Sequence, residues 1–208
     1  MSQAHKESII QLYKLQAYSD KIFIIGNAIE RRQSVLDQGT KKTPTKVKNR
    51  FIYTSPLDNC VYRLIDHFKL IHDLLPGAQL HIYSNLNWYI LFENYRTIMN
   101  KMQETDYIQF IGIVNYEQFE KQKLEADYWY YPIDNKTLKE PFSNSAIDAM
   151  LNGSIVISSK GGSIESLIGE EWEAKGIVIK NQNPDSKEYL DEVLEYIKKF
   201  NNNPKMID

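Results

Sequence analysis

The stretch Ala126–Glu165, ADYWYYPIDNKTLKEPFSNSAIDAMLNGSIVISSKGGSIE, constrains this chain more than any other. Tyr128–Ile133 is an aromatic run held between Asp127 and Asp134, the pattern of a strand buried on both faces. Ser143, Asn144 and Ser145 are good N-cap residues, Ala146–Asn152 continues as a helix, and Gly153 stops it. Ile155–Ser158 is the next strand, and a Gly-Gly turn follows at Gly161. The order is therefore strand, acid-bearing loop, helix, strand. Glu140 and Asp148 stand eight positions apart, which puts one acid in the loop and the other about one turn into the helix. A helix N-terminus offers backbone N–H groups to a phosphate. Carboxylates beside it accept hydroxyls, so the combination suits a sugar linked to a phosphate.

The same alternation runs through the rest of the chain. Lys6–Ala17 carries enough apolar residues for a helix, and Lys21–Gly26 reads as a short strand. Ala28–Lys48 is polar and reads as helix end and loop, and Phe51–Thr54 as a strand. Val61, Leu64, Ile65, Phe68 and Ile71 mark one helix face, which Pro76-Gly77 ends. Gln79–Ser84 and Tyr107–Val114 read as strands. Asn87–Gln103 and Tyr116–Glu125 read as helices, as does the segment carrying Tyr189, Val193 and Ile197. Ile164–Ile168 is a short helix and Ile177–Lys180 the last strand. Such alternation predicts an α/β, Rossmann-like parallel sheet with helices on both faces. Residues 1–20 read as an N-terminal helix and linker, and 21–208 as the domain proper.

Composition excludes several classes. Lys+Arg number 25 against Asp+Glu 27, a net charge of −2 that gives no support for nucleic-acid binding. The run Lys41–Arg50 is locally basic. Its plain reading is a solvated loop, with contact to a phosphate or to an anionic membrane surface as the alternative. Cys60 is the single cysteine, so neither a disulfide framework nor a cysteine-based zinc site exists, and a reducing compartment is expected. No apolar run is long enough for a membrane span, and the N-terminus lacks a signal peptide's apolar core. A soluble, cytoplasmic protein is expected.

The motif from Glu140 to Ile157, with Pro141-Phe142 after the first acid and Ala149-Met150 after the second, resembles the donor-binding half of GT-B glycosyltransferases, closest to family 4. Gly161-Gly162-Ser163-Ile164-Glu165 is similar to that family's Gly-Gly-x-x-Glu turn, and Tyr107–Val114 to its Phe-x-Gly-x-Val strand. Two positions depart: Ser143 replaces a glycine and Asp148 a second glutamate. The resemblance implies a nucleotide-sugar donor, UDP- or GDP-linked, with no further cofactor and no metal. It implies transfer of a hexosyl-like group with retention of configuration. Glu140 matches the acid that holds donor-sugar hydroxyls and is the catalytic candidate, while Asp148 matches the acid that clamps ribose. The amides of Phe142, Ser143 and Asn144 would face the donor's sugar and diphosphate.

Ligands of open parallel sheets bind beyond the carboxyl ends of the strands. The strand-end loops add Ser55, Gly112 and Val114 to the donor-binding candidates. In the resembled family the first loop carries a glycine and a cationic pair, whereas here it is Ser55-Pro56-Leu57-Asp58-Asn59-Cys60. Arg63 falls within the following helix and is expected on its surface; Lys136, Lys139 and Lys160 are the substitute cations. Tyr128–Tyr131 read as core, Cys60 as packing, and Trp88 and Tyr89 as core or as a base or acceptor pocket. The resemblance covers one half of a two-domain enzyme. The expected partner is an N-terminal GT-B half or a separate protein that supplies the acceptor site. The alternative is a non-catalytic module that binds a nucleotide-sugar or a partner.

Overall fold

The computed structural model describes residues 3–25, 45–55, 60–85, 95–134, 143–161, 164–168 and 176–202. Six parallel strands form one sheet: β1 (Val47–Tyr53), β2 (Gln79–Ile82), β3 (Ile108–Phe110), β4 (Ala126–Tyr131), β5 (Ile155–Ser159) and β6 (Gly176–Ile179). Their order across the sheet is β3-β2-β1-β4-β5-β6. The chain therefore winds outward from β1 to β3, returns to the middle, and winds outward again through β4, β5 and β6. The expected Rossmann-like architecture holds.

The helices are α1 (Gln3–Leu12), α2 (Val61–Leu74), α3 (Tyr95–Gln103), α4 (Tyr116–Glu125), α5 (Asn144–Leu151), α6 (Ile164–Leu167) and α7 (Lys187–Asn202). Side-chain contacts sort them to the two faces. On one face Phe51 meets Phe68 of α2 edge-on at 5.2 Å, and Ser159 meets Tyr189 of α7 at 2.9 Å. On the other, Tyr83 donates to Gln122 of α4 at 3.1 Å, and Asp148 of α5 pairs with Lys123 of α4.

The aromatic run of β4 is core, as its sequence indicates. Tyr128, Trp129, Tyr130 and Tyr131 are all buried, and Phe51 of β1 stacks on Tyr128 at 4.4 Å. At roughly 25 cal/mol per Å² of apolar area, rings of this size carry a large share of the burial that holds the sheet together. Cys60 is buried, with its sulfur 3.6 Å from the Tyr53 hydroxyl.

The structure departs from the sequence reading in three places. Among the described residues, 22–25 belong to no strand; Lys21 ends a short 3-10 helix, Gln16–Lys21, and Phe23 and Ile25 are exposed. An apolar run extends as a strand only where a neighbour accepts its backbone hydrogen bonds. Strand β1 starts at Val47, inside the basic run. There Lys46 is not solvated: its Nζ donates to the Ala126 carbonyl at 2.6 Å, the Asn152 carbonyl at 2.8 Å and Ser154 Oγ at 3.3 Å. Arg50 pairs with Glu125 at 2.9 Å. The third departure is length: β3 covers only Ile108–Phe110 of the longer run read as a strand.

Where β1 meets β4 the register shifts between Val47 and Phe51. Asn49 takes the left-handed conformation there, with φ 61°, and its amide donates to Asp127 Oδ2 at 2.9 Å. Asparagine tolerates that conformation better than most residues. The charge at the start of the aromatic run is thus spent on a bulge.

Candidate functional site

The strand order reverses between β1 and β4, and α/β sheets bind ligands outside the carboxyl ends at such a point. Thr54 follows β1, and its hydroxyl accepts from the Trp129 indole at 3.3 Å. Below the α4 and α5 helices a narrow crevice is lined by Thr54, Lys123, Trp129, Ser145, Asp148 and Ala149. It holds room for about one water molecule.

Helix α5 brings two predicted residues to this place. Ser143 is its N-cap, and the hydroxyl accepts from the Ala146 amide at 3.3 Å. The side chain that replaces glycine is therefore buried as a cap, directed at its own helix. Asn144 is the first helical residue and is exposed. Asp148 lies just over one turn further and lines the crevice. Gly153, with φ 74°, ends the helix in a conformation that favours glycine.

Asp148 is not a solitary acid. Lys123 Nζ lies 2.5 Å from its Oδ2 and 2.7 Å from Glu120 Oε1, so two carboxylates share one ammonium. Lys123 and Glu120 are each 9% exposed. Burial by itself would lower the lysine pKa, but the hydrogen bonds and charges of Asp148 and Glu120 outweigh it and hold the group above its usual value. The side chain of Asp148 remains 31% exposed, and among the described residues its other oxygen meets only Asn152 Nδ2, at 3.4 Å. A carboxylate offers about four lone-pair directions. Acceptor capacity is thus left on the exposed side.

The other predicted positions are spread along the strand ends. Ser55 is buried. Gly112 has φ 77°, and an added Cβ would come 3.3 Å from the Phe110 ring, so its glycine is required by the turn after β3. Val114 is partly buried against the core, and the neighbouring Asn115 caps α4 by accepting from the Gln118 amide at 2.8 Å. Lys160 is exposed just after β5. Glu140, Phe142, Asp58, Trp88, Tyr89, Lys136 and Lys139 lie outside the described residues.

Arg63 does not stand on the helix surface. It chelates Asp185 through Nε at 2.5 Å and Nη2 at 2.8 Å, and donates to the Pro132 carbonyl at 3.1 Å. It ties the exit of β4 to the turn before α7. Its partner lies 122 positions away in sequence, so no local pattern reveals the pair. Lys123 is similar: its spacing from Glu120 is a visible helical i, i+3 pair, but its bond to Asp148 spans 25 positions.

No family model and no curated relative matches the sequence. Solved structures do match. A glycosyltransferase from Rickettsia africae superposes with TM-score 0.75 at 14% identity, over 99% of this chain and 54% of that one. The fold is that of a GT-B domain. A mutant of S. aureus TarM, solved in complex with fondaparinux, alpha-GlcNAc-glycerol and UDP, gives TM-score 0.68 at 16% identity over 100% of this chain and 37% of that one. A C-terminal domain of a group 1 glycosyl transferase from Francisella tularensis gives TM-score 0.57 at 14% identity, with 88% of this chain and 87% of that domain covered. This chain spans about half or less of the longer enzymes it matches. Among the described residues no helix is long and apolar enough to cross a membrane.

Proposed function

We propose that this chain is the nucleotide-sugar-binding domain of a GT-B glycosyltransferase of the group 1 type. The observation that carries the reading is Asp148. It is a part-exposed carboxylate one turn into a capped helix, beside the switch point of a parallel sheet whose fold is shared with glycosyltransferases, one of them solved with UDP. In this reading Asp148 accepts ribose hydroxyls and Glu140 accepts hydroxyls of the donor sugar. The N-terminus of α5 meets the diphosphate, with the amides of Phe142, Ser143 and Asn144 nearest. The donor is a UDP- or GDP-sugar, as in the family 4 pattern of the motif.

Transfer itself requires donor and acceptor to be held together. The reading therefore includes a second half that supplies the acceptor site, on this chain's own polypeptide or on another. Large apolar side chains exposed along the N-terminal segment, Leu12, Tyr13, Phe23 and Ile25, support a covering body there. A non-catalytic binding module is the second reading. It is favoured by the first loop, Ser55-Pro56-Leu57-Asp58-Asn59-Cys60, whose sequence holds an acid and no lysine or arginine where the resembled enzymes carry a cationic pair.

Calorimetric titration with UDP-glucose and GDP-mannose tests the first reading. Binding of one of them, weakened by about 1–3 kcal/mol in Asp148→Ala and in Glu140→Ala, is expected. Loss at Asp148 should extend to the free nucleotide, and loss at Glu140 should be confined to the sugar-bearing ligand. Absence of binding to either would refute the reading. Turnover of donor by the purified chain alone would exclude the second.

A further inference from the structure

On the reading of Asp148 as the ribose acid, we propose that Lys123 is the positioning residue of that subsite. It holds Asp148 in the orientation that accepts the vicinal hydroxyls of a nucleotide's ribose. Aspartate is one methylene shorter than glutamate, so its carboxylate samples a smaller space and reaches a ligand only if its rotamer is fixed. Here the rotamer is fixed from the neighbouring helix. Lys123 Nζ sits 2.5 Å from Oδ2, and the carboxylate lines the crevice together with Thr54 and Ser145.

The ammonium is itself immobilised. Lys123 is 9% exposed, its Nζ also binds Glu120 at 2.7 Å, and it lies 4.9 Å from the Phe119 ring centre. Glu120 is equally buried and anchors the lysine to its own helix; Lys123 and Asp148 both line the crevice, and of the three Asp148 is the most exposed, its side chain at 31% against 10% for Lys123 and 11% for Glu120. Two carboxylates against one ammonium leave the group net negative. A negative group of this kind repels phosphate and accepts hydroxyls. The chemistry selected is a neutral vicinal diol, with the diphosphate placed further out toward the α5 N-terminus.

A purely structural ion pair would affect folding stability and would treat all ligands alike. A positioning role makes a different claim: losing Lys123 removes recognition of the ribose hydroxyls and little else. The test is calorimetry on the full chain with UDP and GDP, each against its 2′-deoxy form. The wild-type protein should bind one ribonucleotide at least about tenfold more tightly than its deoxy counterpart, the scale of one charged hydrogen bond. In Lys123→Met that ratio should collapse to near one, with affinity for the deoxynucleotide unchanged. In Lys123→Arg, which keeps the charge, the ratio should survive at least in part, and this variant decides the matter if the methionine variant does not fold. An unchanged ratio in Lys123→Met, or equal weakening toward both nucleotides, would overturn the positioning role and leave the nucleotide-sugar reading standing. No binding of either nucleotide by the wild-type chain would overturn both.

Discussion

The two faces of the sheet use polar side chains in opposite ways. On the face covered by α2 and α7, the buried polar groups close on one another. His67 Nδ1 meets the Tyr130 hydroxyl at 2.6 Å, Tyr130 is hydrogen-bonded to Tyr189, and Tyr189 meets Ser159 at 2.9 Å. All four residues are buried. On the face covered by α4 and α5 the groups are charged, and one of them, Asp148, looks out through a crevice. A closed neutral chain stabilises and specifies packing. A shared-charge cluster with acceptor capacity at the surface can bind. The difference is what supports the proposed site on the α4–α5 side, at the strand-order reversal.

The largest expected effect tests the closed face. Tyr130→Ala removes a fully buried ring from β4 and strands the His67 nitrogen, and should cost about 3–5 kcal/mol in urea unfolding. Among folded molecules nucleotide affinity should be unchanged; a loss of affinity would show that the two faces are not separate.

Next in size is the response to acid. Burial, reinforced by the Arg63 charge, pulls the His67 pKa down from 6.5 to about 4, against the opposing pull of Asp185, Asp66 and the Pro184 carbonyl. A histidine with a depressed folded value is neutral in the fold and takes up its proton more readily when unfolded. Stability should therefore be intact above pH 6.5 and fall as pH drops toward 4, by up to about 3 kcal/mol. Melting curves between pH 7 and 4 check this, and His67→Gln should flatten the dependence. An unchanged slope in that variant would mean that other groups carry it.

The smallest effect concerns the link between the exit of β4 and the α7 turn. Arg63→Met should cost about 1 kcal/mol of stability, because Asp185 is 62% exposed and its charge is well screened. The Arg63 bond to the Pro132 carbonyl holds the start of the loop that leads to Glu140. Affinity for the nucleotide-sugar should therefore fall more than affinity for the free nucleotide. Equal losses for both ligands, measured by calorimetry, would show that Arg63 does not serve that loop.

Much of the fold was legible because its signals are local. The β4 aromatics, the Ser143 cap, the Gly153 stop and the apolar face of α2 are each written within a dozen residues, and the structure places each as read. Asp148 one turn into its helix was legible for the same reason. What was not legible depends on partners far along the chain. Lys46 looked like one cation in a basic run, yet it donates to carbonyls 80 and 106 positions away. Lys21–Gly26 looked like a strand because apolarity is local, whereas pairing is not. The bonds of Arg63 and Lys123 cross between elements, so their roles emerged only when the helices were laid on the sheet.

The central claim is that ligand binds on the α4–α5 side at the β1–β4 junction. Amide chemical-shift mapping of the isotopically labelled chain during titration with UDP-glucose, or with GDP-mannose if that is the donor bound, tests it most directly. The shifts should concentrate at Thr54, Lys123, Asn144, Ser145 and Asp148, with His67, Tyr130 and Tyr189 unmoved. Shifts centred on the α2–α7 face, with Asp148 and its neighbours silent, would contradict the account.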